Sequence, residues 1–365
     1  MKRVLCLVSS MDSGGAETFL MKIYRTIDKA EYQMDFCVNV EEKCFYDDEI
    51  KSLGGKIFYI PPKSQSTSEF RSELYNLISK EKYKYVLRIS SNGFGFMDVK
   101  IAKDAGAKYC TVRAANAGNS AGIKGYIVHR LGRVLYQKYI DTMISPSDLA
   151  AEYTFGKRAY KSGKVNILHN AVDLNVFKYD TGNRARIRKE FGISDDTFLL
   201  GHIGRFMVQK NHGFLLDVFA DVLKRKPNSL LMLVGKGELE NNIKQKAEEL
   251  GISDKIIFTG VRPDVPALLS AMDMFVFPSL FEGMPNTIIE AQATGLPCVI
   301  SDTITKEADI TGLVKYLPIE NPKLWADYIC SCKTAARKDT KQNFIDNKYD
   351  IESSANEFVR LVFGD

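Results

Sequence analysis

Two carboxylates eight positions apart, Glu282 and Glu290, stand in the segment Phe281-Glu282-Gly283-Met284-Pro285-Asn286-Thr287-Ile288-Ile289-Glu290, between an apolar run ending at Phe277 and another beginning at Cys298. Pro285 falls near a first helical turn, where its missing N–H costs nothing. Glu282 is therefore expected on a loop and Glu290 about one and a half turns into a helix. A carboxylate can accept two hydroxyl hydrogen bonds, so the pair suits recognition of a sugar and a ribose. The helix N-terminus, with Gly283, Met284, Pro285, Asn286 and Thr287 around it, is left for a phosphate.

A second set follows the apolar run Phe198 to Ile203, in Gly204-Arg205-Phe206-Met207-Val208-Gln209-Lys210. Two cations projecting from such a loop can neutralise a pyrophosphate and stabilise it as a leaving group. Arg205 and Lys210 read equally as ordinary solvated charges. A third set, Gly14-Gly15 after the run Val4 to Val8, lets backbone N–H groups approach a phosphate or sugar closely at the start of a helix, or simply makes a tight strand-to-helix turn.

The elements that must position these residues recur along the chain. Short apolar runs at Val4 to Val8, Phe36 to Val40, Ile57 to Ile60, Tyr85 to Ile89, Cys110 to Val112, Met143 to Ile144 and Val165 to Leu168 alternate with helical stretches. A second series comprises Phe198 to Ile203, Leu230 to Val234, Ile256 to Phe258, Met274 to Phe277 and Cys298 to Ile300. Alternating strand and helix signals predict an α/β fold of parallel sheets covered on both faces. At 365 residues the chain suits two such domains. We place them at 1–172 and 173–349, with weak periodicity and a cluster of arginines over 173–194 marking the junction, and a helical tail at 350–365 that packs back onto the first domain. Ligands of such sheets bind at the carboxyl ends of strands, so two sheets facing each other would enclose a cleft there.

Composition excludes several classes. With 45% hydrophobic and 26% charged residues the chain is globular. The start, Met1-Lys2-Arg3 with Val4 to Val8, is too short for an export signal, and no stretch approaches the ~20 apolar residues of a membrane span. Seven cysteines without a repeated Cys-x-x-Cys spacing suggest neither disulfides nor zinc, and a cytoplasmic location is expected. The four histidines are scattered and Asp-x-Asp is absent, so no metal or other cofactor is expected. Residues 1–172 hold 26 basic against 18 acidic side chains, and 99–172 alone hold 12 against 4. Within that excess, residues 124–139 mix cations and apolar residues at helical spacing. This is either an interfacial helix for an anionic membrane surface, which would make the protein peripheral at the inner face of the cell membrane, or a core helix with a solvated basic face. No nucleic-acid module accompanies the charge.

The Glu-x7-Glu pattern, with GGAETFL, GRFMVQKNHGFLLDVF and ILHNAVDLNVF, resembles the retaining, GT-B-fold glycosyltransferases of family 4, most closely the bacterial enzymes of capsule, exopolysaccharide and O-antigen assembly. The resemblance covers most of the chain. It implies two Rossmann-like domains across a cleft, an acceptor-binding first domain and a donor-binding second one. It implies that Glu282 contacts the transferred sugar, that Glu290 holds the ribose, that Arg205 and Lys210 bind the diphosphate and that Gly14 and Gly15 line the cleft. It further implies a nucleotide-sugar donor with UDP as the expected base, a growing lipid-linked glycan as acceptor, and same-face attack without metal. The chain departs from the pattern in two places. In the loop where relatives carry a histidine, Asn116 is the best polar substitute and the candidate acceptor or cleft residue, and His169-Asn170-Ala171 replaces Pro-Asn-Gly, so His169 is expected to be structural. A GT-B sugar-nucleotide epimerase and a non-catalytic nucleotide-sugar-binding protein remain as alternatives. A nicotinamide dehydrogenase is disfavoured because Gly235-Lys236-Gly237 lacks the third glycine of the dinucleotide fingerprint.

Overall fold

The computed structural model describes residues 1–365 except 13, 116–121, 283, 333–335 and 365, together with the side chain of 123. The chain divides into two compact units, 1–171 with 348–365, and 172–347.

The first unit carries β1 (Lys2–Leu7), β2 (Tyr32–Val38), β3 (Ile57–Tyr59), β4 (Tyr85–Ser90), β5 (Tyr109–Ala114), β6 (Thr142–Ser145) and β7 (Val165–Ile167). They pair in parallel in the order β3-β2-β1-β4-β5-β6-β7. Side chains alternate between faces, so Val4 and Cys6 enter one core while Leu5 and Leu7 enter the other. Both faces are covered, which is why the strands read as continuous apolar runs. The tail forms the helix Ile351–Phe363, started by Asp350, whose carboxylate accepts from Ser353 N. Its apolar face lies on the first unit: Phe358 meets Phe19 edge-on with ring centroids 6.4 Å apart, and Thr111 Oγ1 donates to Leu361 O at 3.2 Å.

The second unit carries β8 (Phe198–Ile203), β9 (Ser229–Val234), β10 (Ile256–Gly260), β11 (Met274–Phe277), β12 (Cys298–Ser301) and β13 (Val314–Leu317), again parallel, in the order β10-β9-β8-β11-β12-β13. β13 is absent from the sequence reading. It is an edge strand with exposed Lys315, so it lacks the unbroken apolar run of its neighbours.

Two arginines of the cluster that marks the junction anchor the second unit. Asp180 caps the helix Thr181–Glu190, from which Arg184 Nη2 reaches Asp273 Oδ1 at 2.8 Å and buried Arg188 reaches Oδ2 at 3.4 Å. Asp273 Oδ2 also accepts from Leu199 N at 2.8 Å. One carboxylate therefore fixes the starts of β8 and β11 against that helix.

In each sheet the chain builds three strands outward and then returns beside the first of them. The reversal falls between β1 and β4, and between β8 and β11. Loops after those strands part at the reversal and leave a crevice.

Candidate active site

The loops at the second reversal carry the predicted charges. After β8, Gly204 N donates to Val234 O and Phe206 N to Lys236 O, both at 3.0 Å, and Leu239 N donates back to Phe206 O at 3.1 Å. This lacing brings backbone against backbone. Gly235, at φ +138°, would press any Cβ into the Gly204 carbonyl, and Gly237 would press one into the Phe206 backbone. Arg205 is held out by this turn, its side chain 70% exposed and 3.4 Å from Glu238. A surface pair of that kind contributes little, so Arg205 is easily drawn to another anion. A single turn, Val208–Lys210, then presents Lys210.

Lys210 Nζ lies 2.6 Å from Glu282 Oε1 on the loop after β11, and 4.6 Å above the Phe277 ring. Leu280 N donates to Gln209 O, and Gln209 Nε2 donates to Phe281 O, each at 2.8 Å. The two loops of the reversal are thus joined by two hydrogen bonds and one ion pair. Sequence reasoning nominates Lys210 and Glu282 but not their direct pairing, and it passes over Gln209.

Glu290 stands on the helix Asn286–Ala293, led in by Pro285, which has no side-chain oxygen to cap the first turn. Met284, Asn286, Thr287 and Glu290 are partly exposed, while Ile288, Ile289, Ala291 and Gln292 are buried. Gln292 fixes the helix. Its Nε2 donates to Ala308 O at 2.6 Å, and its Oε1 accepts from Ile310 N and Thr311 N at 3.0 and 3.2 Å. No sequence signal marked it. Gly283 lies outside the described residues, as does Asn116.

In the first unit, Gly14 is the extended residue before the helix Gly15–Thr26, and Thr18 N donates to its carbonyl at 2.9 Å. The Glu17 carboxyl folds over Gly14, where a Cβ would collide with it. Burial holds that carboxyl above its usual range. His169 Nδ1 donates to Pro146 O at 3.0 Å, and its ring stacks on Tyr349 at 4.2 Å. Among the described residues, no group of three or more His, Cys, Asp and Glu side chains is placed to hold a metal ion.

A family model described as glycosyl transferases group 1 matches residues 183–348, which include every described charge of this site. The putative glycosyltransferase EpsF of Bacillus subtilis (strain 168) is 34% identical over 354 residues, 94% of this chain and 90% of that protein. This chain belongs to the group 1 glycosyl transferases. An Escherichia coli relative, the UDP-Gal:alpha-D-GlcNAc-diphosphoundecaprenol alpha-1,3-galactosyltransferase, is 28% identical over 71% of this chain and 68% of its own. Among solved structures, Anabaena Alr3699/HepE in complex with UDP-glucose superposes with a TM-score of 0.79 at 18% identity, covering both chains completely. The glycosyltransferase WaaG, involved in lipopolysaccharide biosynthesis, gives 0.73 at 16% over the whole of both chains. The two Rossmann-like units are thus those of GT-B glycosyltransferases.

Behind Lys210 this glycosyl transferase keeps two histidines neutral. His202 Nδ1 donates to Val276 O at 2.9 Å, and its ring stacks on Phe277 and meets His212 edge-on at 4.7 Å. Burial, with Lys210 nearby, pulls His212 down to about 4, and burial pulls His202 well below the imidazole range. The unfolded chain then binds more protons than the folded one between about pH 6.5 and about pH 4. Stability is full above that window and is lost as pH falls through it. Thermal unfolding followed by Trp325, the sole tryptophan, which lies in the second unit's core, is expected to fall steeply from pH 7 to 4.5. His212→Gln should flatten that slope, and an unchanged slope would contradict the assignment.

Proposed function

We propose that this glycosyl transferase moves a hexose or N-acetylhexosamine from a UDP-sugar to a growing, lipid-linked surface polysaccharide, with retention of configuration and without a metal. The observation that carries the donor half is the clustering of Arg205, Lys210 and Glu282 on the two loops of the second unit's reversal, beside the helix bearing Glu290. The relatives support the chemistry by what their names state: a UDP-galactose donor and a diphosphoundecaprenol acceptor in one, and bound UDP-glucose in a structural neighbour.

In this reading the second unit takes the donor. Glu290 accepts the ribose hydroxyls. The diphosphate competes with Glu282 for Lys210, draws Arg205 from Glu238, and meets the N–H groups of the helix N-terminus flanked by Met284, Pro285, Asn286 and Thr287. These groups stabilise the departing diphosphate in place of a metal. Glu282, released from Lys210, accepts hydroxyls of the transferred sugar. The first unit, with Gly14 and Gly15, takes the acceptor. No carboxylate is nominated as nucleophile. The acceptor hydroxyl attacks from the leaving-group face, its proton passing to a donor phosphate oxygen as an oxocarbenium-like sugar forms. Trapping of a covalent glycosyl-enzyme would overturn that step.

The basic helix Gly122–Tyr136 supports a peripheral membrane location. Its small face docks on the first unit: a Cβ on Gly132 would collide with the Gly93 backbone, a Cβ on Gly93 would collide with the His129 carbonyl and the Arg133 backbone, and His129 Nδ1 accepts from Gly93 N at 2.8 Å. The broad opposite face exposes Ile127, Val128, Leu131, Val134 and Leu135, with Lys124, Arg130 and Lys138 also exposed. Apolar residues flanked by cations suit the headgroup boundary of an anionic bilayer. Among the described residues no helix is long and apolar enough to cross one.

The reaction is tested by offering UDP-sugars with a GlcNAc-diphosphate-lipid acceptor, in chelator, and reading the product's anomeric coupling by NMR. An α-linked product from an α-linked donor is expected. A β product, or loss of turnover in chelator, contradicts the mechanism, while a free epimer or binding without turnover moves the assignment to the epimerase or binding-protein alternative. The membrane claim is read by sedimentation with phosphatidylglycerol vesicles at low salt. Binding should be lost in Leu131→Glu/Val134→Glu, and failure of the unaltered chain to sediment would contradict it.

A further inference from the structure

We propose that Phe45 is a stacking platform for a neutral sugar ring of the acceptor, a subsite of the first unit beside its glycine-rich loop; the proposal rests on the glycosyl-transfer reading above. The loop after β2 is stapled to the loop after β1. Asn39 N donates to Ser9 O at 2.9 Å, Tyr46 N to Met11 O at 3.0 Å, and Phe45 N to Asp12 Oδ1 at 3.2 Å. The staple reaches the helix that follows the glycine pair, where Tyr46 Oη and Thr18 Oγ1 are 3.1 Å apart.

Cys44 and Tyr46, on either side, are buried, and the Asp47 carboxylate accepts from Cys44 N at 3.1 Å. Phe45 alone points outward, 72% exposed, its ring set perpendicular to Tyr46 at 4.9 Å. A single exposed phenylalanine is ordinary on a mobile tip. Here both neighbours are anchored in the core, so the ring is held out at a defined angle, its backbone tied to Asp12 of the loop that leads to Gly14 and Gly15. Such a ring offers a flat apolar face with little rotamer entropy to lose.

The surrounding charge selects the occupant. Asp12 anchors the loop itself, Glu17 covers Gly14, and Glu41 and Glu42 precede the ring in an exposed stretch where Lys43 is paired with Asp48. The excess of carboxylates repels a phosphate and accepts hydroxyls. A pyranose combines an apolar C–H face with radiating hydroxyls, and it satisfies both features. The diphosphate of a lipid-linked acceptor does not, so the platform takes a sugar of the glycan rather than its phosphates.

The test uses Phe45→Trp in the full chain, whose one native tryptophan, Trp325, is fully buried. The variant is titrated with methyl α-glycosides of glucose, galactose, mannose, N-acetylglucosamine and N-acetylgalactosamine, and separately with UDP. At least one glycoside should shift the new indole's emission to the blue and shield it from iodide, with no such response to UDP. In parallel, saturation transfer from the unaltered protein to that glycoside should fall about tenfold in Phe45→Ala. An emission and quenching profile that no glycoside alters overturns the proposal. UDP binding to the unaltered chain is measured separately, so a failure of the donor reading appears there and leaves the glycoside titration to judge the platform.

Discussion

Lys210 and Glu282 face each other across the point where the second sheet reverses direction, and the candidate site is organised about their contact. Both side chains are largely withdrawn from water, 16% and 11% exposed. Placing two charges there costs desolvation that their attraction only partly returns. As a device for stability the pair is poor, because apolar residues of the same volume would serve as well. As a resting state for anion binding it is apt. Each charge satisfies the other, and in the proposed reading a diphosphate competes for the ammonium while hydroxyls compete for the carboxylate. The rest of the second unit reads as support for that exchange. The interlocked glycines 204, 235 and 237 hold Arg205 outward, Gln209 ties the two loops, Gln292 fixes the helix bearing Glu290, and Asp273 with Arg184 and Arg188 anchors the far ends of the same two strands.

The first unit repeats the architecture with a different polarity. Its reversal, between β1 and β4, is flanked by the glycine pair, the anchored Phe45 loop and the Gly93 turn on which the basic helix docks. Around the first reversal the exposed Phe45 stands among carboxylates, whereas the loops of the second reversal carry Arg205 and Lys210 near a helix N-terminus. One fold thus supplies two crevices of contrasting chemistry. In the proposed reading, an anionic donor and a hydroxyl-rich acceptor are the ligands that such surfaces would serve.

The charged residues of the site were legible because their signals are local. A strand-like run followed by Arg205 and Lys210, or by Glu282 and a helix with Glu290, states in a few residues where the side chains will project. The supports were not legible, because their partners are distant in sequence. Arg184 and Arg188 read only as part of a basic stretch marking the junction, because their partner Asp273 is 85 to 89 residues away. Gly235 and Gly237 looked like a defective nucleotide fingerprint, although their glycine is required by the Gly204 and Phe206 backbones. β13 escaped notice because an edge strand keeps one polar flank, and Phe45 because nothing in its immediate sequence says that its neighbours are nailed down. Asn116, which stands in place of the family histidine, and Gly283 lie outside the described residues.

Calorimetric titration of the chain and of Arg205→Ala with UDP and with uridine tests the donor site most directly, since Arg205 is exposed and its loss leaves no buried charge unpaired. UDP should bind at least about tenfold more tightly than uridine, and Arg205→Ala should remove much of that difference while leaving uridine unaffected. Equal affinities for UDP and uridine, or a variant that binds UDP as well as the parent does, would contradict the assignment of these loops to the donor diphosphate.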